Sequence, residues 1–248
     1  PIQRDLLDRK GSAAKYAEVV AGLMRADPGC VLMGEIRDPA TAISAQQIVE
    51  TGHMACGTVH AHLISGIVPR LTNEEIGMSR DVLTNPNILT LLVYQALVPK
   101  LCPHCKIGGR LYQQGMPDSE HVFEVLDTLE TRFELERDLF YFKKQGGCPK
   151  CKHRGTAGLS VVAEILTPDR KWLNLIRQGK DYEAMMYYRS KSDGNFRSEN
   201  MDGKTVFEHT LYKALLGEVD PRHCERFDSF DRFEIMNDAD RAETAAYT

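Results

Sequence analysis

With 248 residues, 42% of them hydrophobic and 27% charged, the chain has room for one large domain or two modest ones. It shows none of the bias that marks disorder, collagen or membrane spans. The formal net charge of -4 argues against a surface built chiefly to neutralise a nucleic-acid backbone. No segment approaches the ~20 consecutive apolar residues of a bilayer span; the longest apolar stretch, 88–98, is interrupted by Thr90, Tyr94 and Gln95. The first residues, Pro1-Ile2-Gln3-Arg4-Asp5, carry neither an initiator Met nor an apolar leader and read as a cut inside a longer protein.

Taken in chain order, residues 13–26 place Tyr16, Val19, Val20, Leu23 and Met24 at spacings of three and four, which predicts an amphipathic helix stopped by Asp27-Pro28-Gly29. Residues 30–33 form a short apolar run behind a turn signal and predict a buried strand that delivers Glu35 just past its end. A second helix starts at Asp38-Pro39 and ends at Thr51-Gly52, and residues 54–59 predict another strand. Residues 63–100 are apolar and mostly helical in pattern, broken near Asn85-Pro86. A charged helix is expected over 117–142, with Val122, Val125, Leu126, Leu129, Phe133 and Leu139 on one side. Residues 159–166 predict a strand, 172–188 and 205–216 helices, 190–200 a loop, and the acidic tail from Asn237 frayed chain.

Four of the seven cysteines stand as two matching knuckles, Cys102-Pro103-His104-Cys105 and Cys148-Pro149-Lys150-Cys151, while Cys30, Cys56 and Cys224 are scattered. Tetrahedral Zn²⁺ takes that four-thiolate donor set, and with no open position the ion would close the loop from Lys106 to Gly147 without doing chemistry. The alternatives are a pair of redox CxxC motifs or four buried reduced thiols, and His104 could stand in for one cysteine. Metal in a reducing cytosol is the preferred reading.

Glu35 lies where sheet-end carboxylates organise Mg²⁺ and an attacking water, although a charged turn with a loop ion pair has the same pattern. Thr51-Gly52-His53 through His60 supplies two histidines flanking the next strand, expected near Glu35 and able to report on a γ-phosphate. Satisfied core histidines are the alternative. Gly203-Lys204-Thr205 is a decoy, because Ser198 stands where a phosphate loop needs its first glycine, and no GxxxxGK[ST] run occurs in the chain.

Together these motifs resemble one family, the traffic ATPases of type II secretion and type IV pilus assembly. Leu23-Met24-Arg25-Ala26-Asp27-Pro28 with Gly34-Glu35-Ile36-Arg37-Asp38 is similar to its Walker B region. Thr51-Gly52-His53 to His60 resembles its His box, and the segments around Cys102 and Cys148 resemble the entry to and exit from its zinc subdomain. The resemblance implies a partial RecA-like α/β P-loop ATPase domain over 1–100, a tetracysteine zinc subdomain over 101–158, and a C-terminal strand and helical region over 159–248. It implies Mg²⁺-dependent ATP hydrolysis by a hexamer of the full-length protein, in the cytoplasm and peripheral to the inner membrane, working on a platform protein. Nucleic acid is not an expected partner.

By the same resemblance Glu35 organises Mg²⁺ and water, His53 is the catalytic His-box residue, His60 supports it, and Arg37 and Asp38 hold the nucleotide-side turn. Zinc is bound by Cys102, Cys105, Cys148 and Cys151. Lacking a phosphate loop and the family's Asp box, this stretch alone should be inactive. Ala61 and Ala96 depart from the family pattern and point to a divergent branch, of conjugative thin-pilus type. The rival readings are a non-catalytic docking adaptor and a zinc-dependent nucleic-acid binder.

Overall fold

A computed structural model describes residues 12–245, and the side chains of 18–244. The first five residues therefore lie outside the described residues, as does the Tyr16 side chain. In chain order the regular elements are α1 (Ser12–Met24), β1 (Cys30–Glu35), α2 (Pro39–Glu50), β2 (Met54–Thr58), α3 (Ile67–Thr72), α4 (Arg80–Leu83), β3 (Leu92–Leu101) and β4 (Ile107–Gly108). They continue with α5 (Ser119–Thr131), β5 (Tyr141–Phe142), β6 (Thr156–Leu166), α6 (Arg170–Arg177), α7 (Asp181–Arg189), α8 (Val206–Leu215) and α9 (Asp238–Ala245). Two compact units result: the chain up to Leu92 with Thr167–Met185, and Val93–Leu166 with the chain from Met186 on.

In the first unit β1 and β2 pair in parallel with α2 as the connection, in the register Cys30↔Met54, Val31↔Ala55 and Leu32↔Cys56. A parallel pair needs such a crossover, because a tight turn cannot return the chain to the same end of the sheet. The helix starts where it does because Asp38 Oδ1 accepts from the Thr41 N–H at 2.9 Å, and Thr41 Oγ1 accepts in turn from the Asp38 N–H at 3.3 Å. Such a reciprocal cap satisfies helix-end donors that have no partner within the helix.

Val31 and Met33 turn inward, and Ala42, Ala45 and Ile48 of α2 are buried too. The strand is not buried on both faces, as its apolar run predicted: Leu32 is 82% exposed and Met54 of β2 61% exposed. Alternation along a strand puts adjacent side chains on opposite faces, and among the described residues Leu32 and Met54 are left exposed on the second one. Returning helices complete the unit. Arg80 donates from Nη1 to Asp181 Oδ1 and to the Ile176 carbonyl, both at 2.8 Å, while Arg177 Nη2 donates to the Thr84 carbonyl at 2.8 Å. Residues 172–188, expected as one helix, form α6 and part of α7, split at Gly179, whose φ of +75° is left-handed.

The second unit contains the β3–β6 pair and the short β4–β5 ladder. β3 corrects the helical reading of 63–100: helices α3 and α4 occupy its front, but residues 92–101 are extended. A short continuous apolar run has no period by which helix and strand can be told apart. The helix expected over 117–142 ends at Thr131, because Glu134 adopts a left-handed φ of 55° and the Leu135 N–H bonds to the Leu129 carbonyl at 2.9 Å. Phe133 thereby leaves the helix face and joins an aromatic cluster with Phe207, Phe230 and Phe233, in which Phe207 and Phe233 stack at 4.1 Å. As far as Ala245 the tail from Asn237 is not frayed: it forms α9, capped by Asn237 Oδ1 accepting from the Asp240 N–H and Asp240 Oδ2 accepting from the Asn237 N–H.

Phe207 sits at the centre of that cluster with 1% exposure. Replacing it with Ala should destabilise the second unit by about 3–5 kcal/mol, against less than about 0.5 kcal/mol for Ala at the exposed Leu216. Urea unfolding of the two variants measures the contrast, and equal midpoints would contradict the assigned core.

Candidate metal centre and nucleotide-facing strand ends

Parallel pairing decides which of the sequence-predicted residues can meet. β1 and β2 run in the same direction, so residues past their ends share one side of the sheet and residues before their starts share the other. Glu35, the last residue of β1, and His60, two residues past β2, share the first side: Glu35 Oε1 faces His60 Nε2 at 3.5 Å and Oε2 faces Arg37 Nη1 at 3.8 Å. The Thr58 hydroxyl donates to the Gly34 carbonyl at 2.5 Å, and the Ile36 N–H donates to the Thr58 carbonyl at 2.8 Å, which fixes the backbone that carries the carboxylate.

His53 stands at the other end. Its Nε2 approaches Asp27 Oδ1 at 3.4 Å and its Nδ1 lies 3.2 Å from Thr51 Oγ1. β2 rises about 3.3 Å per residue, so its five residues separate the two histidines by roughly 16 Å along the strand. The expectation that both histidines lie near Glu35 is therefore corrected: the fold brings His60 there and leaves His53 beside the turn after α1.

The side chains at this end are wet, with His60 91% and Arg37 61% exposed. Exposed ion pairs contribute only ~0–1 kcal/mol, so the cluster is not what holds the strands together. Asp38, grouped with Arg37 in the sequence, is occupied as the α2 cap and lies 3.9 Å from Arg37 Nε. Thr58 and Thr41 were missed as positioning residues; the Gly-Thr and Asp-Pro-x-Thr patterns around them were the available signals. The decoy triplet is structural: Lys204 is 2% exposed, Tyr188 donates to its carbonyl at 2.7 Å, and Thr205 caps α8.

The four paired cysteines converge in the second unit. The sulfurs of Cys102, Cys105, Cys148 and Cys151 all lie within 4.8 Å of one another, with Cys102–Cys148 at 3.9 Å, Cys105–Cys151 at 4.0 Å and Cys148–Cys151 at 3.8 Å. A tetrahedral ion ~2.3 Å from each sulfur would set them ~3.8 Å apart, so the donor set fits a metal ion with shifts of at most ~1 Å. Each knuckle is wound by its own amides: Lys106 N–H bonds to the Cys102 carbonyl at 3.0 Å and His153 N–H to the Cys148 carbonyl at 2.9 Å. His104 is exposed and outside the sulfur cluster.

Two features of this centre were invisible as motifs. The Cys148 and Gly155 N–H groups both donate to Cys151 Sγ at 3.2 Å, and the Cys148 amide above all pulls that thiol down to about 6. Burial first, and then the neighbouring sulfurs, push Cys105 up to about 12. A bound cation would displace the remaining protons and even out this asymmetry. Gly147 is required by shape, since its φ is +52° and a Cβ there would stand 2.5 Å from the Gly155 nitrogen and 2.8 Å from Cys151 Sγ.

Among the described residues, no helix is long and apolar enough to cross a membrane. Residues 5–212 match the family described as Type II/IV secretion system protein. The chain is 30% identical over 189 residues to the type II secretion system ATPase E of Vibrio cholerae, covering 75% of this chain and 34% of that protein. It is 39% identical over 201 residues to the protein transport protein HofB homolog of Escherichia coli, covering 79% and 39%. With the type IV pilus assembly ATPase PilB of Thermus thermophilus it shares 29% over 202 residues, covering 82% and 20%. The chain thus spans well under half the length of these relatives.

The crystal structure of the pilus retraction motor PilT with bound ADP matches 89% of this chain and 46% of its own, with a TM-score of 0.53 at 18% identity, a likeness of fold alone. The expected class, a partial RecA-like α/β domain with a tetracysteine cluster, agrees with that likeness and with the converging sulfurs. With most of its length matched, the chain belongs to the Type II/IV secretion system protein family.

Proposed function

We propose that the chain is the C-terminal part of a hexameric ATPase that powers type IV pilus assembly or type II-like secretion from the cytoplasmic side of the inner membrane, against a platform protein. The observation that carries this reading is the Glu35–His60 pair at the ends of two parallel strands. In open α/β sheets ligands bind outside the carboxyl ends of the strands.

ATP with Mg²⁺ supplies the phosphoryl group and its counter-charge when bound. Glu35, whose carboxylate is partly open to solvent, can face a hydrated cation and polarise the attacking water. His60, 91% exposed and not packed in place, could turn from Glu35 to a phosphate oxygen, and this assigns to His60 the sensing role that the resemblance gave to His53. His53, held by Asp27 and Thr51, then positions the start of β2. Arg37 orients Glu35, and Asp38 keeps α2 in register. The phosphate cradle would come from chain outside these 248 residues, in keeping with relatives roughly twice as long.

In the protein extended to the length of its relatives, Glu35→Gln should lower the ATPase kcat by at least about a hundredfold, in the range of a lost general base. His60→Ala should cost more than His53→Ala, while the 248-residue chain alone stays inert. A steady-state phosphate-release assay reads all four. A docking adaptor is the second reading, favoured by the exposed Leu32 and Met54 face, and it predicts no turnover and no response to Glu35→Gln.

We assign the tetracysteine centre to structural Zn²⁺, which takes four thiolates with no geometric strain. The 101–158 segment is then a zinc subdomain whose ion ties the chain before α5 to the chain after β5. Elemental analysis of the purified chain should find one zinc per molecule, and Cys148→Ser should lose it. Gly147→Ala, which removes no ligand, should also lose it, because the added methyl group collides with Cys151. Zinc retained at full occupancy in Gly147→Ala would contradict the geometry.

A further inference from the structure

Three of the seven cysteines stand apart from the paired knuckles, and folding treats them differently. Cys224 is fully buried, whereas Cys30 and Cys56 are exposed, and their sulfurs approach to 3.9 Å although they lie 26 positions apart in the chain. Parallel pairing produces the approach. In the register Cys30↔Met54 and Leu32↔Cys56, residues two apart on each strand point to one face. Cys30, Leu32, Met54 and Cys56 therefore form a checkerboard on the exposed side of the β1–β2 pair, and three of its four side chains carry sulfur.

The two thiols are diagonal neighbours, and that decides what they can do. Two residues along a strand and one strand across place their Cα atoms ~8 Å apart. A disulfide does not span more than about 7 Å without moving the backbone, and here the backbone is tied into a pair of strands. An ion between the sulfurs asks for no such movement. Their separation of 3.9 Å falls among the 3.8, 3.9 and 4.0 Å that separate sulfurs in the tetracysteine centre, the spacing of two sulfurs that share one ion. Met54, 61% exposed and directly across from Cys30, adds a flexible thioether beside the pair. The imidazole next to it in sequence, His53, is held by Asp27 and Thr51.

We propose that Cys30, Cys56 and Met54 form a second metal site, which takes a soft monovalent ion, Cu(I). Thiolate and thioether donors select soft ions, whereas harder divalent ions prefer carboxylates, carbonyls and water. A structural Zn²⁺ takes four ligands, and three sulfurs leave it one short. The site lies at the starts of both strands, so occupancy ties β1 to β2 there without touching Glu35 or His60 at the other end.

The test is anaerobic titration of the reduced, zinc-loaded chain with Cu(I) against a chromogenic Cu(I) chelator, with zinc followed in the same sample. One Cu(I) per chain should bind while zinc stays in place, and X-ray absorption at the copper edge should show sulfur neighbours alone. The combined variant Cys30→Ser and Cys56→Ser should abolish that uptake. Met54→Leu, which keeps the apolar bulk, should weaken it by at least about tenfold, the lower end of what disturbing a metal's surroundings costs. Both variants should keep the parent's urea midpoint, because all three side chains are exposed. No uptake by the parent chain, uptake unaltered in either variant, copper entering only as zinc leaves, or a Cys30–Cys56 disulfide formed in oxidised glutathione would each overturn the proposal.

Discussion

Parallel pairing of β1 with β2 is the constraint from which the candidate nucleotide site follows. The pairing sets Glu35 opposite Thr58, two residues before His60, and no local sequence rule could have produced that juxtaposition across 25 residues of chain. The capped helix α2 spans the gap and covers one face, burying Ile48 fully. Because the exposed ion pairs at the strand ends add little stability, the carboxylate and the imidazole remain available to a ligand. Stability and chemistry are thus divided between two parts of one small motif: helix-covered strands supply the first, and solvent-facing strand ends the second.

The tetracysteine element solves a different problem. Its two knuckles are joined by more than forty residues that include α5, whose Val122, Leu126 and Leu129 are fully buried, and the two ends of that loop must still meet at one point. Wound turns, left-handed Lys152 and His153, and the side-chain-free Gly147 bring four sulfurs close to the corners of a tetrahedron before any ion is considered. Metal binding to such a preformed cluster contributes directly to folding.

Much of this was legible in the sequence. The strands at 30–35 and 54–58, the helix capped by Asp38, and the cysteine tetrad follow from local chemistry, which survives folding largely unchanged. What could not be read depended on distant partners. The run over 92–101 lacks any period and becomes a strand only because β6 pairs with it. Glu134 breaks a helix whose pattern promised two more turns. The opposite placement of His53 and His60 follows from strand direction, and chain proximity to Glu35 concealed it. The reciprocal Asn237–Asp240 cap was legible in principle, since an Asn followed three residues later by Asp is a helix start, but the acidic composition of the tail masked it.

The central claim is that one end of the β1–β2 pair faces nucleotide and the other does not. A crystal structure of the full-length protein with Mg²⁺ and a non-hydrolysable ATP analogue tests it most directly. The account predicts Glu35 and His60 at the metal and terminal phosphate, with His53 still beside Asp27. A terminal phosphate at His53, or one remote from both strand ends, would contradict it.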